Sequence, residues 1–370
     1  MKILYYVHAL VIGGAETIVA NNLIELKSNQ VDVVLVVNQR VDTFLEKRVL
    51  DAGIKIYALD TTMPKAKCKA ILWKIKIRFI NYKRRLNRII AEEKPDIIHV
   101  HSLIYRLDGV NFPANKSVYT FHADVERALR IYSKRNFNVL KKMSSHGLSF
   151  FALTEKAKAD IKKHFNTDRI FITPNSVDID SIKSNAYFGD KFLSELNIPD
   201  SAFVVGHIGR FHKVKNHERI IDIFNAVHKK RRDSFLVLIG GDEDGRMSVI
   251  RERIHNYGLD DYVRFLGVRD DATAIISCFD VFILPSFSES FSLATIEAQA
   301  LGIKCVVSDA VPNDVICNSN CVRISLNESD ESWAESILID SQNVCDGDIY
   351  RFDKKNVISQ LIGLYEKIVG

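Results

Sequence analysis

Short apolar runs alternate with amphipathic stretches along the whole chain. Ile3–Val7, Val31–Val37, Ile97–Val100, Phe150–Leu153, Phe203–Ile208, Phe235–Ile239, Val281–Leu284 and Cys305–Val307 are each apolar and rich in β-branched residues, the pattern of buried strands. Between most of them the apolar spacing changes to the helical period, as over Glu16–Lys27, Glu155–His164 and Glu218–Lys230. Such alternation predicts parallel sheets covered by helices on both faces. One doubly wound sheet rarely holds so many strands, so two α/β domains are expected, residues 1–180 and 181–352. A hinge is expected in the polar stretch Asp178–Tyr187, after Asn175. A terminal helix over 353–370 carries apolar positions at Val357, Leu361, Leu364, Tyr365 and Ile368, and could cap either domain.

Composition narrows the class. With 370 residues, 47% of them hydrophobic and 26% charged, the chain has the make-up of an ordinary globular protein. No run approaches the ~18 apolar residues of a spanning helix. The opening run Ile3–Ile12 is interrupted by His8 and followed by Glu16, which reads as a first strand and glycine turn rather than a cleaved leader. Cys68, Cys278, Cys305, Cys317, Cys321 and Cys345 follow no paired spacing, so free thiols, a reducing compartment and no metal site are expected.

Charge is uneven. The formal net charge is +5, yet Lys65–Arg88 holds ten cations and no carboxylate, leaving the remainder net negative. Within that segment Leu72, Ile75, Phe79, Tyr82, Leu86 and Ile89 recur at helical spacing. A basic helix with such a stripe can lie on the anionic inner leaflet of a membrane; it can equally be a helix packed on a sheet with a solvated basic face. No recognition motif accompanies the charge, so nucleic acid is not an expected partner.

Four clusters at strand ends could carry chemistry. Gly13-Gly14-Ala15-Glu16 follows the first strand, where paired glycines admit close backbone approach to a ligand. Thr120-Phe121-His122-Ala123-Asp124 follows another short strand, Ser117–Tyr119; of His99 and His101 on the strand before it, one is expected to turn into the core. In Gly206–Asn216, Arg210 and Lys215 could clamp a diphosphate, one through its fork and the other as a point charge. Finally, Pro285–Ala298 leaves a buried strand and enters a helix expected to start near Ser290, with Glu289 and Glu297 about two turns apart on nearly one face. By spacing alone these two carboxylates could also be a first-turn charge and a solvated surface group. Neither a Walker A sequence nor G-x-G-x-x-G occurs, which counts against a P-loop ATPase and an NAD-linked dehydrogenase.

Taken in order, these residues resemble the family-4 retaining glycosyltransferases of GT-B fold, nearest to the transferases of bacterial exopolysaccharide, capsule and O-antigen assembly. Gly-Gly-Ala-Glu at 13–16, Pro95–His99, His122, Pro174-Asn175, Gly209-Arg210 with Lys215, Glu289 with Glu297, Glu297–Gly302 and Val306–Asp309 carry the likeness. The resemblance implies two Rossmann-like domains facing across a cleft, the first on the acceptor side and the second binding the nucleotide sugar. It implies retaining transfer with no required metal or cofactor, the leaving diphosphate taking the acceptor proton. Carried over, Arg210 and Lys215 neutralise that diphosphate, Glu297 accepts from ribose hydroxyls, and Glu289 holds hydroxyls of the donor sugar. Amides of Ser290, Phe291, Ser292 and Leu293 touch sugar or phosphate, Gly14 and Gly209 let backbone approach the diphosphate, and His122 orients the donor sugar. The family usually has Gly at positions 290, 292 and 176, where this chain has serines, and Pro at 304, where it has Lys304.

The expected function is transfer of a hexose or N-acetylhexosamine from a nucleoside-diphosphate sugar, UDP-linked in first place and GDP-linked in second, onto a growing lipid-linked surface polysaccharide. The expected location is cytoplasmic and peripheral to the membrane, through the Lys65–Arg88 helix. The alternatives are a soluble acceptor, isomerisation of the nucleotide sugar, and a non-catalytic nucleotide-sugar binder or membrane scaffold.

Overall fold

The computed structural model describes residues 1–11, 13–59, 82–101, 112–185, 189–242, 244–340 and 343–370. It divides into two compact units, one of 1–176 with 354–370 and the other of 177–353.

The first unit is built on a seven-stranded sheet: β1 (Lys2–Val7), β2 (Asp32–Val37), β3 (Lys55–Ala58), β4 (Ile97–His101), β5 (Ser117–Thr120), β6 (Ser149–Ala152) and β7 (Ile170–Ile172). Their order is β3-β2-β1-β4-β5-β6-β7, parallel throughout. The two-residue period of β1 decides which core each side chain joins. Ile3, Tyr5 and Val7 face one cluster, with Val19, Leu23 and Leu26 of helix Gly14–Ser28. Leu4 and Tyr6 face the other, with Leu86 and Ile89 of helix Tyr82–Glu93 and with Ile161 and Phe165.

The last helix, Lys354–Val369, belongs to this first unit. It buries Ile358, Leu361, Tyr365 and Ile368 in the same cluster as Tyr5. Its fully buried Tyr365 hydroxyl lies 2.8 Å from that of Tyr5 and 2.5 Å from His99 Nδ1, so the polar tip of a core aromatic is satisfied.

The second unit is a six-stranded parallel sheet: β8 (Phe203–Ile208), β9 (Ser234–Ile239), β10 (Val263–Gly267), β11 (Val281–Leu284), β12 (Lys304–Ser308) and β13 (Cys321–Ile324). The order is β10-β9-β8-β11-β12-β13. Each sheet reverses direction of growth once, between β1 and β4 and between β8 and β11.

Three features bear on the sequence reading. The stretch 178–187, read as a hinge, carries helix Ile179–Asn185, because Ile179 and Ile182 bury at helical spacing. The apolar stripe of the basic segment does not all face outward: Leu86 and Ile89 lie in the sheet's core, Tyr82 packs against it, and Arg85 Nη1 donates to the Leu59 carbonyl at 2.9 Å. Residues 60–81, the larger part of that segment, lie outside the described residues. Lys304 is buried and its ammonium donates to the carbonyl of Ile339 at 2.6 Å, capping the end of helix Asp330–Leu338 as a proline could not.

Among the described residues no helix is long and apolar enough to cross a membrane. Cys278, Cys305, Cys317, Cys321 and Cys345 are free thiols.

Candidate active site

Loops that leave a parallel sheet on either side of its point of reversal open a crevice at the carboxyl ends of the strands, where α/β proteins bind ligands. In the second unit the two such loops are 209–216, after β8, and 285–292, after β11.

The first loop is pinned by its backbone. Gly209 N donates to Ile239 O and Phe211 N to Gly241 O, each at 2.8 Å, which lays it against the end of β9. A Cβ on Gly209 would stand 2.8 Å from His207 Nε2, so glycine is required by contact. His212 caps the short turn Lys213–Lys215 by accepting from Val214 N. Two bonds fasten the loops together: Phe287 N to Val214 O at 2.8 Å, and Asn216 Nδ2 to Pro285 O at 3.1 Å. Asn216 adopts the left-handed conformation, φ 58°, that its type tolerates.

Lys215 and Glu289 meet here, Nζ to Oε1 at 2.7 Å. Arg210 is exposed on the same loop. The helix begins at Leu293, so Glu289 lies in the preceding loop and its spacing to Glu297 is not a helical repeat. Ser290 also precedes the helix. The residue before the first turn, Ser292, is held at φ 70°, ψ 79°, a region costly for any residue with a Cβ, and its hydroxyl lies 2.7 Å from Thr295 Oγ1. This backbone demand explains glycine at that position in the resembled family. Phe291 is buried edge-on against Phe352, which leaves its amide rather than its ring for a ligand. Glu297, on the helix Leu293–Ala300, is half-buried, and burial pushes its carboxyl up to about 7.

The first unit holds the remaining candidates. Gly14 is exposed at the first position of helix Gly14–Ser28, after the N-cap Gly13. His122 follows β5 and lies 2.8 Å, Nε2 to Nδ1, from His101. Both His99 and His101 are buried, against the expectation that one alone turns inward; two residues apart on a strand they share a face, and their rings stack at 4.0 Å. Burial holds His99 and His101 well below the ordinary imidazole value and His122 at about 4, so all three are neutral at pH 7. His101 as the partner of His122, and Asn216 as the tie between loops, were not read from sequence. The strand period would have placed His101 on the face of His99, but not beside His122.

Two parallel sheets, each with one reversal of order, define a two-domain α/β protein of Rossmann-like class. Two sequence profiles match the chain in order, "Glycosyltransferase Family 4" over residues 12–181 and "Glycosyl transferases group 1" over 202–339. The first half of the chain thus carries a family-4 glycosyltransferase domain and the second a group-1 glycosyltransferase domain, in the two-sheet GT-B fold. It is 30% identical over 177 residues to "Putative glycosyltransferase EpsF" of Bacillus subtilis (strain 168), an alignment taking in 48% of this chain and 46% of that relative. The chain thus spans less than half the length of that relative. It is 24% identical over 296 residues to the Escherichia coli UDP-Gal:alpha-D-GlcNAc-diphosphoundecaprenol alpha-1,3-galactosyltransferase, covering 75% of this chain and 73% of that one. The fold matches the crystal structure of Anabaena Alr3699/HepE in complex with UDP and glucose, with TM-score 0.76, 18% identity and coverage of 99% and 100%.

Proposed function

We propose that the chain moves a hexose or N-acetylhexosamine, with retention at the anomeric carbon, from a nucleoside-diphosphate sugar to a growing lipid-linked glycan. The observation that carries this reading is the Lys215–Glu289 pair on the two loops that flank the switch point of the second sheet. Lys215 and Arg210 neutralise the departing diphosphate, Glu289 receives hydroxyls of the sugar and Glu297 those of the ribose. Backbone at Gly209 and at 290–293 approaches phosphate and sugar. In the first unit, Gly14 and neutral His122 are further candidates, on the family resemblance alone. The acceptor oxygen bonds to the anomeric carbon as the bond to the diphosphate oxygen breaks, and the acceptor proton passes to the diphosphate on the same face.

UDP is the favoured donor nucleotide, in keeping with the UDP named for the Anabaena structure and the UDP-galactose named for the E. coli relative. The diphosphoundecaprenol in that relative's name supports a lipid-linked acceptor. Peripheral contact with the membrane rests on the basic segment Lys65–Arg88. The test is transfer from radiolabelled UDP- and GDP-sugars to lipid extracts, with the Glu297→Ala variant as control. Label entering the lipid phase with the intact chain alone supports the reading; no transfer from any donor refutes it.

A further inference from the structure

Two side chains assigned above to different parts of the donor bind each other here. Lys215 Nζ lies 2.7 Å from Glu289 Oε1, and the Glu289 side chain is 9% exposed. Lys215 is its hydrogen-bond donor among the described residues. The pair cannot relax by drifting apart, because Phe287 N–Val214 O and Asn216 Nδ2–Pro285 O fasten the two loops. A carboxylate this buried is costly without a donor. Lys215 can therefore turn fully to a diphosphate only if something else donates to Glu289.

We propose that Glu289 discriminates the nucleotide sugar from the free nucleoside diphosphate, by yielding Lys215 only when sugar hydroxyls take its place. With the sugar attached, its hydroxyls donate to Glu289 and Lys215 is free for the phosphates. With the nucleoside diphosphate alone, withdrawing Lys215 strands a buried negative charge beside two more, so the ammonium stays shared and the nucleotide is held weakly. The same pair thus favours the donor over the product and speeds product departure. This inference rests on the donor-site reading above.

Calorimetry on the full chain tests it. UDP, GDP and ADP identify the nucleotide that binds; the corresponding glucose, galactose and N-acetylglucosamine derivatives, or GDP-mannose, then identify the sugar form. Glu289→Gln keeps the shape and removes the charge. It is expected to bind the free nucleoside diphosphate about 10-fold more tightly than the unaltered chain, while the nucleotide sugar gains nothing. In a Lys215→Met background the same substitution should tighten the nucleoside diphosphate by less than about 2-fold, since no ammonium remains to be released. Unchanged or weaker binding of the nucleoside diphosphate by Glu289→Gln overturns the proposal. A gain that survives undiminished without Lys215 does so too, because it reports plain charge repulsion. Should Glu289→Gln fail to fold by circular dichroism, Glu289→Met, which fills a similar volume without charge, takes its place with the same expectation. If the unaltered chain binds none of the three nucleotides, the donor-site reading itself fails and this inference with it.

Discussion

Glu297→Gln should make the second unit more stable while it removes donor binding. Burial places the Glu297 carboxyl at about 7 in the fold, against an ordinary 4.5. For an acid with a raised folded pKa, the unfolded chain ionises first as pH rises, so ionisation works against the fold. The penalty is absent below about pH 4.5, grows through the interval and is complete above about pH 7. From those two values it is about 3 kcal/mol at pH 8 and about 1 kcal/mol at pH 5. The carboxyl is partly exposed, so solvent screening makes these figures ceilings. Glutamine carries no such penalty. Urea unfolding can be followed through Trp333, fully buried in the second unit, in a Trp73→Phe background, since the chain has two tryptophans. The expected result is a gain for Glu297→Gln that is larger at pH 8 than at pH 5. An equal effect at both values, or a loss of stability at pH 8, would refute the claim that this carboxylate is held at a cost to the fold.

Other expectations follow from particular contacts. Ser292→Gly should raise stability by about 1 kcal/mol, read as a higher urea midpoint, because glycine adopts φ 70° without steric cost. Lys215→Met, and separately Arg210→Ala, should lower turnover on the order of 10²-fold with the fold intact by circular dichroism; near-normal turnover would dismiss the diphosphate clamp. Tyr365→Ala should destabilise the first unit by about 3–5 kcal/mol, as loss of a fully buried aromatic does, and leave the Trp333 transition in place. Neutralising Lys74, Lys76, Lys83 and Arg84 should weaken co-sedimentation with phosphatidylserine vesicles; unchanged sedimentation would mean that the basic face is merely solvated.

Legibility in the sequence followed burial. All nine strands flanked on both sides by neighbours were read, eight as continuous apolar runs and β5 as a short strand. The four not read, β3, β7, β10 and β13, are the four edges of the two sheets. An edge strand is covered less completely, and Lys55–Ala58 or Cys321–Ile324 accordingly mix charged or exposed positions into four residues. The destination of the last helix was open because its apolar stripe fits any sheet face; the Tyr365 contacts with Tyr5 and His99 join residues more than 260 positions apart. At the site, residue types were readable from their positions after strands, but their pairing was not. Nothing in the spacing of Lys215 and Glu289 shows that their loops are tied together, and a helix start misplaced by three residues turned a loop carboxylate into a helical one. The serine at 292 looked like a simple departure from the resembled family; the backbone shows that it is a strained one.

The most direct test of the account is a thermal shift of the purified chain with UDP, GDP, ADP and NAD, run with chelator present. A ligand at about 100 times its dissociation constant stabilises by about 2.7 kcal/mol, a shift of several degrees. The account predicts a rise with one nucleoside diphosphate, UDP before GDP, that is lost in Glu297→Ala. A chain that responds to none of them, or whose response is untouched by that substitution, would contradict a nucleotide-sugar site at the switch point of the second sheet.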